Sequence, residues 1–530
     1  MKGVQLFYRP VTAKAGFFVA TVLGALLFPV LSGALGPSGM AYVSLAMPAC
    51  HFLTIAGGLA FPAVIGRMLA PLLESGESAR ARALFADSLL ALVLPGTALG
   101  VLTALLAAPF SNLCNLSGGG PAVVGIAPLF LLSMASAALR GYFLGLGQYG
   151  YYALSLLVQQ AGKVAIAPLL AGIGTGSPAA MAQWACFGIC IAEGLSLLLL
   201  GVLFALFGRE GRSGGQQAGV PIGQLALRLW KAGGLAAALA AFPALLALVD
   251  ALVIPGRFDA ALTSPSAAAA GYALLSAFAL PAALFPGDMS AFVALSGMIG
   301  TAEAQPARHR AERSTWAAFS VKGALLLAIP AAAAVGILAK PLLSLLFPAA
   351  LTVEELRTAA ELVRFLAAGL VFAALGVTCA VQLCATGYAM VGLLNAGIAL
   401  VVKLALTLLL ATAERTVYGG AFATAAALFA YCACNAVQAL RKLRARFDPM
   451  GALVKPAVCA FCMGTAMYFL HFALLDKLMG AAGCVLAVLA GYLVFAALGA
   501  ATRILTREDY ERLPFGLKVY DILSGIGMVK

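Results

Sequence analysis

The stretch AGFFVATVLGALLFPVLSGALGPSGMAYVSLAMPACHFLTIAGGLAFPAVI, residues 15–65, contains no lysine, arginine, aspartate or glutamate. A membrane-spanning helix needs ~20 consecutive apolar residues, so this one stretch is long enough for two crossings. The dipeptide Gly36-Pro37 interrupts it near the middle, and we expect one span to end and the next to begin around that point. The stretch therefore predicts a chain that crosses a membrane more than once.

The rest of the chain has the same character. Of its 530 residues, 63% are hydrophobic and 10% are charged, whereas soluble domains are ~45–50% apolar and ~25% charged. At ~20 apolar residues a span, this stock supplies at most ~16 spans. A transmembrane β-barrel is excluded because its strands alternate apolar and polar residues and give no long apolar runs. The composition predicts an all-α polytopic membrane protein.

Apolar runs between charged residues and Gly/Pro breaks predict about fourteen transmembrane helices. Their expected limits are 15–35, 41–66, 83–108, 121–144, 152–174, 179–207, 231–254, 269–301, 316–338, 358–385, 388–412, 417–440, 453–475 and 480–503.

The net charge of +13 is best explained by topology. With an even number of spans and the N-terminus inside, 25 of the 33 basic residues fall on the cytoplasmic side, Arg140 among them. Two more, Lys163 and Lys403, lie deep in predicted spans. Six fall on the opposite side: Arg257, Lys340, Arg357, Arg364, Arg415 and Lys477. This asymmetry predicts that both termini are cytoplasmic, and it explains the positive charge without nucleic acid as a partner.

An internal repeat predicts how the chain is divided. Gly147 precedes Lys163 by 16 residues and Gly387 precedes Lys403 by the same interval, in the similar texts GKVAIAPLLA and VKLALTLLLA. Two six-helix lobes of equal orientation would be related by an axis along the membrane normal, with a central cavity and alternating access. The predicted divisions are an N-terminal lobe at 1–208, a cytoplasmic linker at 209–230, a C-terminal lobe at 231–446, spans thirteen and fourteen at 447–504, and a cytoplasmic tail at 505–530.

Ionisable groups inside a membrane are costly, about +2.5–3.5 kcal/mol by translocon scales, so each predicts a function or a partner. Lys163 and Lys403 lie near the midplane at equivalent places in the two halves, which would suit a doubly anionic head group such as pyrophosphate. The alternative is that each lysine is structural and paired within its own lobe, with Glu193 as the partner of Lys163. Further candidates for substrate binding are Arg140 at the cytoplasmic end of span four, Gln160 and Asn395.

Three carboxylates are candidates for coupling to Na⁺ or H⁺. Glu193 lies in span six, Asp250 near the outer end of span seven, and Asp288 in the Pro-Gly-Asp break of span eight, where unwound carbonyls could bind a cation. Each could also be a salt-bridged or solvated carboxylate. No cofactor and no metal are predicted, because His51, His309 and His471 are widely separated in sequence.

Enzymatic function is not predicted. The Gly-Gly-Gly at 118–120 lacks the Lys-Ser/Thr of a phosphate-binding loop, and the aqueous segments are too short for a nucleotide-binding domain.

Five stretches in order resemble stage V sporulation protein B-like flippases, which belong to the multidrug/oligosaccharidyl-lipid/polysaccharide exporter superfamily. They are LGPSGMAYVSLAMPACHFLTIAGGLAFPAVIGRMLA at 35–70, LRGYFLGLGQYGYYALSLLVQQAGKVAI at 139–166, VDALVIPGRF at 249–258, VYGGAFATAAALFAYCACNAVQALRKL at 417–443 and LTREDYERLPFG at 505–516. The resemblance places a basic residue at Lys163. It implies two six-helix lobes plus two helices, and export of undecaprenyl-pyrophosphate-linked glycans across the bacterial inner membrane.

The leading hypothesis is therefore a flippase for a lipid-linked, pyrophosphate-bearing glycan, with membrane lipids and cell-wall synthesis proteins as expected partners. The first two spans lack the arginine cluster of related lipid II flippases, so a peptidoglycan precursor and another lipid-linked oligosaccharide both remain open. Two rival hypotheses are an ion-coupled multidrug exporter of the same superfamily and a non-transporting scaffold for wall or spore assembly. The exporter would depend on Glu193 or Asp288 rather than on the lysines.

Overall fold

The computed structural model describes residues 10–174, 176–207, 221–258, 264–285, 310–348, 350–412, 416–443, 448–512 and 516–525. Within these ranges every regular element is a helix, which confirms the predicted all-α fold. Eleven of the described helical stretches are long and apolar enough to cross a membrane, and a bent pair adds a twelfth. The chain is a multi-pass membrane protein.

The predicted number of about fourteen spans is approximate. Two stretches, Ala15–Glu74 and Met450–Ala501, are 60 and 52 residues long, and each contains two of the predicted spans. At ~1.5 Å per residue, either stretch is more than twice the thickness of a membrane core. Gly36 interrupts the first with φ +62° and Gly480 interrupts the second with φ +57°, backbone angles that residues other than glycine rarely adopt.

The first part of the chain forms helices numbered here in chain order. They are α1 Pro10–Ala25, α2 Leu27–Ile55, α3 Phe61–Glu74, α4 Ser78–Leu113, α5 Gly120–Ile126, α6 Pro128–Gly145, α7 Tyr149–Ala171, α8 Pro178–Phe207, α9 Ile222–Leu229, α10 Leu235–Ala240, α11 Phe242–Val253 and α12 Pro265–Ala273.

The predicted linker is helical from Ile222 onward, because α9 turns Leu225 and Leu229 inward and packs against α4. Helix α9 continues through a π turn at Trp230–Gly234 into α10. The stretch then bends by 63° between Ile222–Ala240 and Phe242–Arg257. Pro243 lies at the start of α11, where a ring without an N–H is tolerated.

A π turn at Ala56–Ala60 joins α2 to α3 without ending the helical path. Its hydrogen bond runs from the N–H of Phe61 to the carbonyl of Ala56, one residue longer than in an α-helix. All five of its residues are buried. The turn leaves the carbonyls of Gly57 and Gly58 to accept hydrogen bonds from side chains on other helices.

Helices α3 and α6 pack closely because glycines lie at their contact. A Cβ on Gly141 would lie 2.6 Å from the Cβ of Ile65, and one on Gly145 would lie 2.8 Å from the Cβ of Leu69. Small residues spaced by four are a common way for membrane helices to bring their backbones together. This packing aligns α6, which carries Arg140, along the π turn.

Within the described residues from Arg310 onward, the chain forms ten further α-helices. They are α13 Arg310–Ile337, α14 Ala339–Leu346, α15 Val353–Ala385, α16 Ala389–Leu410, α17 Thr416–Leu443, α18 Lys455–Phe469, α19 Asp476–Met479, α20 Gly483–Ala501, α21 Arg507–Arg512 and α22 Gly516–Gly525.

The chain divides by its internal contacts into two compact units. Unit 1 comprises Met1–Ala277 with Ala411–Thr416, and unit 2 comprises Phe278–Leu410 with Val417–Lys530. The first is built around α2, α7 and α8, and the second around α13, α15, α18 and α20. The predicted division at residues 209–230 follows the sequence repeat rather than these contacts, and the lobe assignment stays a prediction.

Candidate functional site: buried charges in each unit

Arg140 in α6 is fully buried in unit 1, and its guanidinium binds groups from three other segments. Its Nε donates to Ser155 Oγ at 3.1 Å, and its Nη1 donates to the Gly57 carbonyl at 3.0 Å. Its Nη2 donates to Gln159 Oε1 at 3.2 Å and to Ser196 Oγ at 3.0 Å. The planar fork of arginine permits this number of directed bonds. Arg140, which we expected at the cytoplasmic end of span four, is thus held in the interior of unit 1, and its role in substrate binding stays a prediction.

Glu193 in α8 is the acidic partner of Arg140. Its Oε1 lies 3.4 Å from Arg140 Nη2, an ion-pair contact without hydrogen-bond geometry, and its Oε2 accepts a hydrogen bond from Gln159 Nε2. Both charged side chains are 0% exposed. The alternative in which Glu193 pairs with Lys163 finds no such ion pair among the described residues, where Glu193 contacts Arg140 instead. A buried charge is retained in proteins when it is paired and hydrogen-bonded in this way.

The π turn between α2 and α3 supplies backbone carbonyls that accept hydrogen bonds in this network. The Gly57 carbonyl binds Arg140, and the Gly58 carbonyl accepts from the Tyr152 hydroxyl at 2.7 Å. One turn earlier, Thr54 Oγ1 accepts from Lys163 Nζ at 3.1 Å. Two adjacent turns of one helical path thus bind side chains from α6 and α7.

Lys163 in α7 is 2% exposed, and its side chain donates a hydrogen bond to a neutral hydroxyl. An ammonium group has three donors, so this bond satisfies one of them. Among the residues that the structure describes, Lys163 forms no ion pair with a carboxylate.

Gln160, one turn away, is also buried, and its side chain packs against Gly24 of α1, where a Cβ would lie 2.8 Å from Gln160 Oε1.

The two lysines follow turns of the same geometry. Gly147 has φ +70° and Gly387 has φ +90°, and each ends a helix. In each turn the glycine N–H bonds the carbonyl three residues back and the next N–H bonds the carbonyl five residues back. This is the hydrogen-bond pattern of a Schellman motif, which requires a left-handed residue. The lysines thus lie at equivalent positions on the helices that begin after these turns.

Lys403 in α16 is fully buried in unit 2. Its Nζ donates to the Gly420 carbonyl at 2.9 Å and to Thr424 Oγ1 at 2.6 Å, both on α17. These contacts lie within its own unit, as the structural alternative expects. Lys403 therefore has a better satisfied ammonium group than Lys163.

Asn395 lies two turns before Lys403 and is also buried. Its Nδ2 donates to Asn435 Oδ1 at 3.0 Å, and Asn435 Nδ2 donates to the Tyr431 carbonyl at 2.9 Å. Asn435 and Thr424 were not identified from the sequence. Both are polar side chains on the predicted twelfth span, and each is the partner of a polar residue on the eleventh. Polar residues on two neighbouring predicted spans were the sequence signal that could have identified them.

The two other candidate coupling carboxylates are Asp250 and Asp288. Asp250 in α11 is fully buried and interacts electrostatically with the Tyr272 hydroxyl of α12. Asp288, the third predicted coupling residue, lies outside the described residues. The structure therefore brings together Arg140 and Glu193, and it leaves Lys163 one turn away from their shared partner Gln159.

Comparison with known proteins identifies the fold. No protein-family model matches the chain, and no curated protein matches it. A solved structure titled as the inward-facing conformation of a multidrug resistance MATE family transporter of the MOP superfamily is 13% identical. That match covers 80% of this chain and 95% of the other, with a TM-score of 0.63. An outward-facing conformation of such a transporter is 14% identical and covers 84% and 98%, with a TM-score of 0.58.

The fold also matches lipid II flippase MurJ in an inward closed conformation. The identity is 14%, the match covers 93% of this chain and 100% of the flippase, and the TM-score is 0.62. At such identities the likeness establishes the fold alone. The chain has the fold shared by these MATE transporters and MurJ, which are transporters and a flippase rather than enzymes.

Proposed function

We propose that this protein is a flippase that moves an undecaprenyl-pyrophosphate-linked glycan across the bacterial inner membrane by alternating access. Two independent lines support the proposal. Five sequence stretches resemble stage V sporulation protein B-like flippases, and the fold matches a structure titled as a lipid II flippase over 93% of this chain. The match to the inward-facing multidrug transporter covers 80% of this chain.

The observation that carries the proposal is the environment of Lys163. A cation held inside a membrane-spanning segment costs several kcal/mol unless it serves a function or is neutralised, about +2.5–3.5 kcal/mol by insertion scales. Lys163 is buried against a single neutral hydroxyl, and its charge has no acidic partner in the part of the chain that the structure describes. A pyrophosphate diester supplies the missing negative charge and several strong acceptors.

Lys403 is the second proposed phosphate-binding residue. It occupies the position equivalent to Lys163 in the repeat, although it is held by Gly420 and Thr424. A lysine binds phosphate as a point charge that can exchange hydrogen bonds, so such neutral partners can be given up when an anion arrives.

A multidrug exporter is the second candidate function, because two of the matched structures are multidrug resistance transporters. Such a protein would bind cationic amphiphiles through a carboxylate. Glu193 is engaged by Arg140 and Gln159 and is fully buried, which leaves it poorly suited to that role. A non-transporting scaffold would give no reason to keep an unneutralised lysine inside a span. The environment of Lys163 therefore favours an anionic substrate.

Energy coupling and sidedness belong to the proposal as well. The described residues contain no group of three His, Cys, Asp or Glu side chains suited to a metal ion. Coupling to Na⁺ or H⁺ through Asp250 or Asp288 remains a proposal that rests on their positions in spans seven and eight. Cytoplasmic termini and cell-wall synthesis partners are proposed from the charge asymmetry and the family resemblance.

The test is head-group translocation by the purified protein in vesicles that contain an undecaprenyl-pyrophosphate-linked glycan. We expect the double variant Lys163→Ala/Lys403→Ala to lose at least about tenfold in rate, since a hydrogen bond to a charged group contributes ~1.5–3 kcal/mol. Lys477→Ala, an exposed lysine on the predicted outer side, is the matched control and should keep the wild-type rate. Unchanged translocation in the double variant, at equal reconstituted amounts, would contradict the proposal.

A further inference from the structure

We propose that Arg140 is a positioning residue that holds the Glu193 carboxylate away from Lys163, so that the Lys163 ammonium stays free to bind a pyrophosphate. The inference rests on the proposed function, because it concerns the same lysine. In this proposal the buried Arg140–Glu193 ion pair leaves a second cation, Lys163, without an anionic partner.

The spacing of residues on α7 places Gln159 close to Lys163 in the helix. Gln159 and Lys163 are four residues apart, so they lie on the same face of the helix and one turn apart, about 5–6 Å between Cβ atoms. Gln159 Nε2 donates to Glu193 Oε2. The Glu193 carboxylate is therefore bound to the side chain of Gln159, whose position on α7 is about one turn from that of Lys163.

Cys190 gives independent evidence of this proximity. It lies one turn before Glu193 on α8, and its thiol interacts electrostatically with both Lys163 and Glu193. The lysine and the glutamate thus both lie within electrostatic range of the same buried thiol. Yet the structure has no Lys163–Glu193 ion pair, and Glu193 instead contacts Arg140.

The buried charges of α6, α7 and α8 do not balance. These helices bury two cations, Arg140 and Lys163, and one anion, Glu193. Pairing Glu193 with Arg140 leaves the positive charge on Lys163. Pairing it with Lys163 would leave that charge on Arg140 instead.

Neutral groups hold Arg140 on its other edges. Ser155, Ser196 and the Gly57 carbonyl orient the guanidinium plane without contributing charge. Glu193 is the anionic partner of this arginine in the ion pairs of the described residues. If Arg140 were neutral, Glu193 would retain Gln159 as a partner and gain Lys163 as the nearest described cation on α7. The ion pair would then form where the substrate is proposed to bind.

The test is equilibrium binding of undecaprenyl pyrophosphate to the purified full-length protein in lipid nanodiscs, reporting both Kd and the number of sites per protein. We expect Arg140→Gln to raise Kd about tenfold with the number of sites unchanged, as loss of one buried charge interaction would. Arg140→Gln/Glu193→Gln should return Kd close to the wild-type value. Arg80→Gln, which removes an exposed arginine paired with Glu77, is the control and should not change Kd.

Arg140→Lys separates positioning by charge from a structural role. A lysine keeps the positive charge beside Glu193 but cannot reach Ser155, Gly57, Gln159 and Ser196 together. The proposal predicts that Arg140→Lys keeps Kd near the wild-type value. Equal damage in Arg140→Lys and Arg140→Gln, seen as fewer sites at constant Kd, would overturn it.

The Lys163→Ala variant separates the positioning role of Arg140 from the phosphate-binding role of Lys163. If Lys163→Ala raises Kd and Arg140→Gln does not, the positioning role is wrong and the proposed function stands. If Lys163→Ala leaves Kd unchanged, the phosphate assignment is wrong and the positioning role fails with it. Support requires that Lys163→Ala raises Kd and that adding it to Arg140→Gln causes little further loss.

Discussion

Arg140 and Lys163 are both buried cations in unit 1, yet they are stabilised in different ways. The guanidinium makes four hydrogen bonds and one ion pair, so nearly all of its donors are used. The ammonium makes one bond to Thr54. The first arrangement is a completed network, whereas the second leaves donors for another partner.

Gly57 is the residue at which this network is most sensitive to added volume. A Cβ there would lie 2.8 Å from the Ser133 carbonyl and would also clash with the Ser133 hydroxyl. We expect Gly57→Ala to lower stability by ~1–3 kcal/mol through overpacking and displacement of the π turn. The measurement is the thermal unfolding midpoint of the detergent-purified protein.

Gly194 in α8 is the matched control for that substitution. A Cβ on Gly194 meets no atom within 4 Å, and alanine favours a helix more than glycine does. Gly194→Ala should therefore be neutral or slightly stabilising. An unfolding midpoint for Gly57→Ala equal to that of Gly194→Ala would show that the close approach at Gly57 does not limit stability.

At the scale of single residues, the sequence predicted which side chains are buried better than it predicted their partners. Lys163 and Lys403 stand out because they interrupt long apolar runs. Arg140 lies five residues before the end of α6 and was assigned to a membrane surface. Its partners include a backbone carbonyl in a π turn and side chains on two other helices, and no periodicity or spacing in the sequence indicates such acceptors.

The short helix α21 shows how an element outside the spans is attached. Asp509 Oδ2 accepts a 2.6 Å hydrogen bond from Lys322 of α13 and a 2.9 Å bond from the Thr506 N–H. Burial by itself raises the pKa of Asp509, but the bonds from Lys322 and Thr506 outweigh it and hold the pKa below its usual value. The ion pair thus fastens the segment after α20 to α13 within unit 2.

This attachment should depend on pH. A carboxyl group whose pKa is lowered by folding stabilises the folded state above its unfolded pKa, and that contribution is lost as pH falls through the folded pKa. Asp509→Asn should therefore lower the unfolding midpoint at neutral pH, and the difference from wild type should shrink in acid. Exposed Asp521→Asn is the control. A difference between Asp509→Asn and wild type that stays constant down to acidic pH would contradict this role for the ion pair.

At the scale of elements, long apolar runs located the helices, and local breaks decided their shapes. The two predicted spans within Ala15–Glu74 are joined at Gly36, where a Gly-Pro pair gave a visible signal. The π turn at Ala56–Ala60 gave none, because its sequence AGGLA is ordinary for a membrane helix. Its conformation follows from side chains on α6 and α7 that bind its carbonyls.

At the scale of the whole molecule, composition alone determined the class. A chain with 63% hydrophobic residues and 10% charged residues is compatible with few folds other than a helical membrane protein, and the solved structures it matches are of that kind. Substrate identity is a different matter. It depends on a few polar groups in an apolar background, and the same fold carries both a multidrug transporter and a lipid II flippase.

The lipid that stays bound to the purified protein tests the central claim most directly. Native mass spectrometry of wild-type protein from bacterial membranes should detect an undecaprenyl-pyrophosphate-linked glycan, and its occupancy should fall in Lys163→Ala/Lys403→Ala but not in Lys477→Ala. Retention of bulk phospholipids alone, or equal occupancy by the glycan lipid in the double variant, would contradict an anionic lipid-linked substrate held by these lysines.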